Sequence, residues 1–247
     1  MLTLLLLLLC IAVLWWFVRK DAAEYAAFKT LSDTASRQRC YRRWVLKSFL
    51  LFSGMTLVCL LVLHRLHTLA AMPIEFIPLA ARLAARMPTT AVLDKSFLIG
   101  FASAAVVTGI LVGVLLAKKL KTSHATLGDI EPLMPRNAAE TGWTALLALN
   151  AGLSEECFFR LLLPLLLTSL LHNPLPAFVI ATLLFGLVHL YQGPVGVLAT
   201  TLLGAVFACL YLWTGSLWIV IAVHAGLDLF GLVVRPTVMR LLHRPTA

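Results

Sequence analysis

Between residues 141 and 234 only four side chains are formally charged: Glu155, Glu156, Arg160 and Asp228. Three histidines, His172, His189 and His224, share this otherwise apolar stretch. A charged group near the centre of a bilayer costs roughly 2.5–3.5 kcal/mol on insertion scales, so such groups turn inward and mark sites. Helical spacing sorts them. Glu156 and Arg160 are four residues apart and share a face, whereas Glu155 is rotated by about 100° and is the less neutralised carboxylate. Phe185 and His189 are also four apart, as are His224 and Asp228. His172 sits beside Asn173-Pro174 and reads as a turn residue. A free carboxylate meeting two imidazoles suits activation of water and stabilisation of an oxyanion.

The elements that must carry these groups are membrane helices. Of 247 residues, 61% are hydrophobic and 13% charged, an apolar excess beyond that of soluble domains. The apolar runs lack strand alternation, which predicts an all-α, polytopic transmembrane helix bundle of about seven spans. The spans are expected at 2–18, 48–63, 96–117, 141–171, 176–191, 194–213 and 216–234. The net charge of +9 is not a nucleic-acid signal, because eight of the 20 Lys and Arg cluster between Arg19 and Lys47, beside apolar runs. Basic segments stay cytoplasmic, which places the N-terminus outside and the tail with Arg235, Arg240 and Arg244 inside. Residues 64–95, with Pro73, Pro78 and Pro88, read as an external loop with an interfacial piece. Gly109 and Gly113 in the third span, and Gly204 with Ala208, offer close helix packing, and Tyr211, Trp213 and Trp218 read as an interfacial belt. Five scattered cysteines carry neither a CxxC nor a disulfide framework. The expected division is 1–140 as transmembrane anchor helices with basic cytoplasmic loops, 141–234 as the helical core bearing the chemistry, and 235–247 as a basic cytoplasmic tail.

Glu155-Glu156-Cys157-Phe158-Phe159-Arg160 resembles the EExx[FY]R motif of the CPBP family, the CAAX-protease and bacteriocin-processing membrane proteins. Phe185-x-x-x-His189 is similar to its second motif, FxxxH, and His224-x-x-x-Asp228 to its third, HxxxN, with Asp for Asn. The motifs occur in the family's order over about residues 141–234. The resemblance implies a type II CAAX-like intramembrane endopeptidase that hydrolyses a peptide bond in a membrane-proximal or C-terminal segment of a protein substrate. On that implication Glu155 and His189 activate water, and His224 and Asp228 support the oxyanion or complete a metal site. Glu156, Arg160 and Phe185 then support them. Leu161 stands where many relatives have Gly, a change in packing more than in chemistry.

An ionised Asp only accepts hydrogen bonds, so Asp228 must be protonated, orient His224, or ligate a cation. Two His with carboxylates from Glu155, His189, His224 and Asp228 are a zinc-compatible set, although no HExxH is present. The favoured reading requires no cofactor and gives Asp228 the orienting role. The expected partners are the lipid bilayer and a membrane-anchored protein or peptide, with no nucleic acid, and the expected setting is a bacterial inner membrane. Two other functions fit less well. A catalytically silent immunity or scaffold protein would not need Glu155, His189 and His224. A proton-coupled transporter would repeat the polar constellation in the first 140 residues. The bland alternative for Glu156 and Arg160 is a structural ion pair, and for each histidine a hydrogen-bonded packing residue.

Overall fold

The computed structural model describes residues 1–86 and 128–242. The expected span at 96–117, with Gly109 and Gly113, lies outside them, as do Pro88 and Arg244. Among the described residues every regular element is helical. Helix α1 is Leu2–Lys29 and α2 is Thr34–Val62. A short helix, α3, covers Ile77–Ala84. Helix α4 spans residues 138–171 and is built of Ala138–Glu156, a π-helical segment Cys157–Leu162, and Leu163–Leu171. It is followed by α5 (Pro174–Leu187), α6 (Gly193–Thr214) and α7 (Leu217–Leu241).

Four of these, Leu2–Lys29, Thr34–Val62, Leu190–Thr214 and Leu217–Leu241, are long and apolar enough to cross a bilayer. Helix α5 is apolar but shorter, and α4 carries Glu140, Glu155, Glu156 and Arg160 along its length. The described residues therefore support a multi-pass membrane protein with four such spans, against an expectation of about seven. Polarity is distributed as lipid demands. Leu5, Leu8 and Trp15 of α1 and Val58 and Leu61 of α2 are exposed, while Glu156 and Arg160 are fully enclosed. Apolar side chains in contact with lipid carry no cost, whereas an unpaired charge there carries a large one.

Three expectations are corrected. The basic stretch 19–47 is helical apart from the turn at residues 30–33, and not a long loop. Helix α1 continues through Arg19 and Lys20 to Lys29, and α2 begins at Thr34, so the charged ends of two long helices project beyond the apolar span. The turn between them is set by Asp33, whose carboxylate accepts a 2.7 Å hydrogen bond from the Ser36 amide. That bond at a helix N-terminus holds the Asp33 carboxyl below its ordinary range. His189 is not inside an apolar helix: α5 ends at Leu187, and His189 precedes the 3₁₀ turn Leu190–Gln192. Tyr211 is no member of an interfacial belt. It is buried with its ring against Phe76 and Phe178, and Phe76 belongs to the segment expected to be an external loop. Trp218 is exposed, and its indole N–H reaches the Leu69 carbonyl at 3.0 Å.

The α1–α2 hairpin is fastened to the start of α4. Arg37 and Glu140 are both wholly buried, with Nε to Oε2 at 3.0 Å. Arg37 also donates to Tyr41 Oη, Pro132 O and Met134 O. Asn137 caps α4 by accepting from the Glu140 amide at 3.0 Å.

Candidate active site

The site begins with a fault in α4. Pro164 has no N–H, so the carbonyl of Arg160 has no donor four residues on, and the proline ring crowds that carbonyl. The π-helical segment Cys157–Leu162, two residues upstream of the proline, is where the helix widens to absorb the misfit. The same arrangement recurs in α7, where the π segment Phe230–Val234 ends two residues before Pro236. In α4 the widened turn follows Glu155 and Glu156 directly. Glu156 faces the core, and Glu155 is turned toward a cavity, with its side chain 14% exposed.

Four helices bring the remaining groups together. His189 Nε2 lies 3.8 Å from Glu155 Oε2. That separation exceeds a hydrogen bond, and one water between the two atoms would bond to both. The other ring nitrogen, Nδ1, lies 2.8 Å from the Phe185 carbonyl. A carbonyl only accepts, so Nδ1 carries the proton, and Nε2 presents a lone pair toward Glu155 when the ring is neutral. His224 on α7 places Nδ1 2.7 Å from Glu156 Oε1 and Nε2 3.6 Å from Asp228 Oδ2. The short bond that orients His224 is thus made by Glu156, a partnership across helices that spacing along one helix does not reveal. Glu156 is also paired with Arg160, Nε to Oε2 at 3.1 Å, and both side chains are fully buried. The Arg160 guanidinium nitrogens have no hydrogen-bond partner among the described residues. The guanidinium instead lies over the rings of Phe185 at 4.5 Å and Phe207 at 5.8 Å.

Phe185 joins the two histidines, with ring centroids 5.0 Å from His189 and 6.1 Å from His224. Phe207, on α6, stacks on His224 at 4.8 Å and 27°. Sequence reasoning missed Phe207, because an aromatic among Leu, Val and Ala gives no signal of its own. The structure shows why a glycine stands one turn before it: a Cβ on Gly204 would come within 2.8 Å of Phe185 Cδ1 and 3.5 Å of an Arg160 nitrogen. A second close approach sets the register of α4 against α7. A Cβ on Gly152 would lie 2.7 Å from both the Cβ and the backbone N of Ala225. Glu156 lies one turn beyond Gly152, and His224 adjoins Ala225, so this contact brings the 2.7 Å bond together.

The site opens into a cavity of about 800 Å³. Glu155, His189, His224 and Asp228 form one wall, and Phe17, Asp21, Tyr25 and Lys47 of the α1–α2 hairpin form another. Among the described residues no group of three or more His, Cys, Asp and Glu side chains is gathered closely enough to hold a metal ion. The nitrogens and carboxylates are already committed in pairs: His189 to Glu155 and the Phe185 carbonyl, His224 to Glu156 and Asp228.

A multi-pass membrane protein with an acid–imidazole site inside its helix bundle is therefore defined by fold and geometry together. Residues 137–230 match the family model described as type II CAAX prenyl endopeptidase Rce1-like. The match covers less than half of the chain but contains all three motifs, and it bears out the resemblance to the CPBP family. No curated protein and no solved structure matches the chain.

Proposed function

We propose that the protein is a metal-independent, glutamate-type intramembrane endopeptidase that cleaves a membrane-proximal or C-terminal segment of a membrane-anchored protein. The observation that carries this reading is the 3.8 Å gap between Glu155 Oε2 and His189 Nε2 on the wall of an 800 Å³ cavity. A water in that gap gives one proton to Glu155 as its oxygen attacks the scissile carbonyl, while its other O–H, which stays on the oxygen, donates a hydrogen bond to the lone pair of His189 Nε2. With both ring nitrogens protonated, His224 donates Nε2–H to the tetrahedral oxyanion while its Nδ1–H stays anchored on Glu156. Asp228, at 3.6 Å, holds the His224 ring from the other side. Collapse of the intermediate breaks the C–N bond, and the proton on Glu155 passes to the departing amine.

Arg160, 3.1 Å from Glu156 Oε2, balances the charge of the carboxylate that orients His224. The family match supports peptide hydrolysis over the silent and transporter readings. The setting proposed is a bacterial inner membrane, with the basic helix ends on the cytoplasmic side.

The test is cleavage of membrane-anchored reporter substrates by purified protein in nanodiscs, with Glu155→Gln in parallel. Loss of cleavage in a variant that still folds is expected, and full activity would overturn the assignment. Chelation with metal analysis tests the cofactor arm: stoichiometric zinc lost together with activity would refute metal independence.

A further inference from the structure

Charge is distributed oddly about the cavity. The chain as a whole is +9, yet the ionisable side chains lining the cavity, among the described residues and apart from histidine and tyrosine, are three acids and one lysine. Two of the acids, Glu155 and Asp228, belong to the site already described. The third, Asp21, sits across the cavity on α1, outside the family-matched segment. It shares the single ammonium of Lys47 with Glu24, and the shares are unequal. Lys47 Nζ is 2.8 Å from Glu24 Oε2 and 3.4 Å from Asp21 Oδ1. Glu24 has further partners, a hydrogen bond from the Trp44 indole N–H at 3.0 Å and the Arg43 guanidinium at 3.9 Å. Asp21 is left as the under-neutralised carboxylate, with its side chain only 15% exposed and turned into the cavity. The rings of Tyr25 and Tyr191 (centroids 4.9 Å apart), and then of Tyr191 and His189 (6.0 Å), connect this wall to the site.

We propose that Asp21 is a substrate-recognition residue, receiving a Lys or Arg side chain that flanks the membrane segment of the protein substrate. This rests on the peptidase reading and adds to it the class of side chain selected. Asp21 lies three residues past the apolar run 2–18, at the bilayer edge where this chain keeps its own basic residues. Membrane segments of other proteins carry Lys and Arg at that same edge. A carboxylate in a partly dry, net-negative cavity attracts such a cation and bonds it with charge assistance. Lys47 holds the place until the substrate cation enters, and then keeps its closer partner, Glu24.

The test measures binding, using full-length protein in nanodiscs and the Glu155→Gln background to prevent turnover. The probe is a fluorescent single-span peptide with one Lys placed in turn at each of the first few positions beyond its apolar segment, compared with Gln and Glu versions. At one register the Lys peptide should bind about tenfold more tightly than the Gln peptide, the effect of one charge-assisted hydrogen bond. Asp21→Asn should abolish that preference, and Asp21→Lys should invert it in favour of the Glu peptide. Equal affinity for all three peptides, or a preference untouched by both Asp21 variants, overturns the proposal. Active protein run on the same peptides separates the two readings. Charge-selective binding without cleavage leaves Asp21 standing and sinks the peptidase, whereas cleavage indifferent to charge does the reverse.

Discussion

Glu155 and Glu156 are neighbours of identical chemistry with opposite surroundings, and this divides their expected roles. Glu155 faces a cavity and an imidazole lone pair, whereas Glu156 is enclosed between Arg160 and His224. Glu155→Gln should reduce cleavage at least 100-fold, the usual scale for a lost general base, with little change in thermal stability. Glu156→Gln should do the opposite in stability, because it leaves the buried Arg160 uncompensated, a loss of about 3–5 kcal/mol for a broken buried pair. Thermal unfolding in detergent beside reporter cleavage separates the two. Equal melting losses for both variants would contradict the division. Phe207→Leu keeps the volume apolar but removes the ring stacked on His224. Cleavage should fall several-fold while binding of the uncleaved peptide persists.

At the scale of elements, the site depends on how closely helices approach and where α4 widens. Gly152→Val would drive Ala225 and α7 away from α4 and stretch the 2.7 Å bond between Glu156 and His224. Overpacking of this kind costs about 1–3 kcal/mol, and the variant should lose activity out of proportion to its fall in melting temperature. A Gly152→Val protein with undiminished cleavage would show that the register of α4 and α7 is irrelevant to the reaction. Pro164 lies beyond the first motif, and its missing N–H falls two residues past the widened turn on which Arg160 sits. A scan for apolar runs delimits spans but does not detect such a turn, and it marked the start of α6 more faithfully than the true end of α5.

For the molecule as a whole, the α1–α2 hairpin and the family-matched segment act as one body around a shared cavity. Arg37 is the fastening, buried against Glu140, Tyr41 and two carbonyls. Arg37→Met should cost about 3–5 kcal/mol by stranding Glu140, and adding Glu140→Gln to it should restore a large part of the loss. Chemical denaturation of the two proteins checks this; no recovery in the double variant would mean that the carbonyl contacts, and not the ion pair, hold the hairpin. The sequence by itself determined the membrane class, the three motifs and the identity of Glu155, His189, His224 and Asp228 as candidates, because a charge in lipid is costly enough that its presence is informative. It also determined the pairing of Glu156 with Arg160, because spacing along one helix is local. Only the tertiary structure decided that Glu156 is the anchor of His224, that Phe207 lies against it, that His189 stands in a break between helices, and that Asp21 faces the same cavity from a distant helix. Those relations depend on distances between helices far apart in the chain, set by small residues at crossings and by side-chain volumes, and periodicity along one helix carries no record of them.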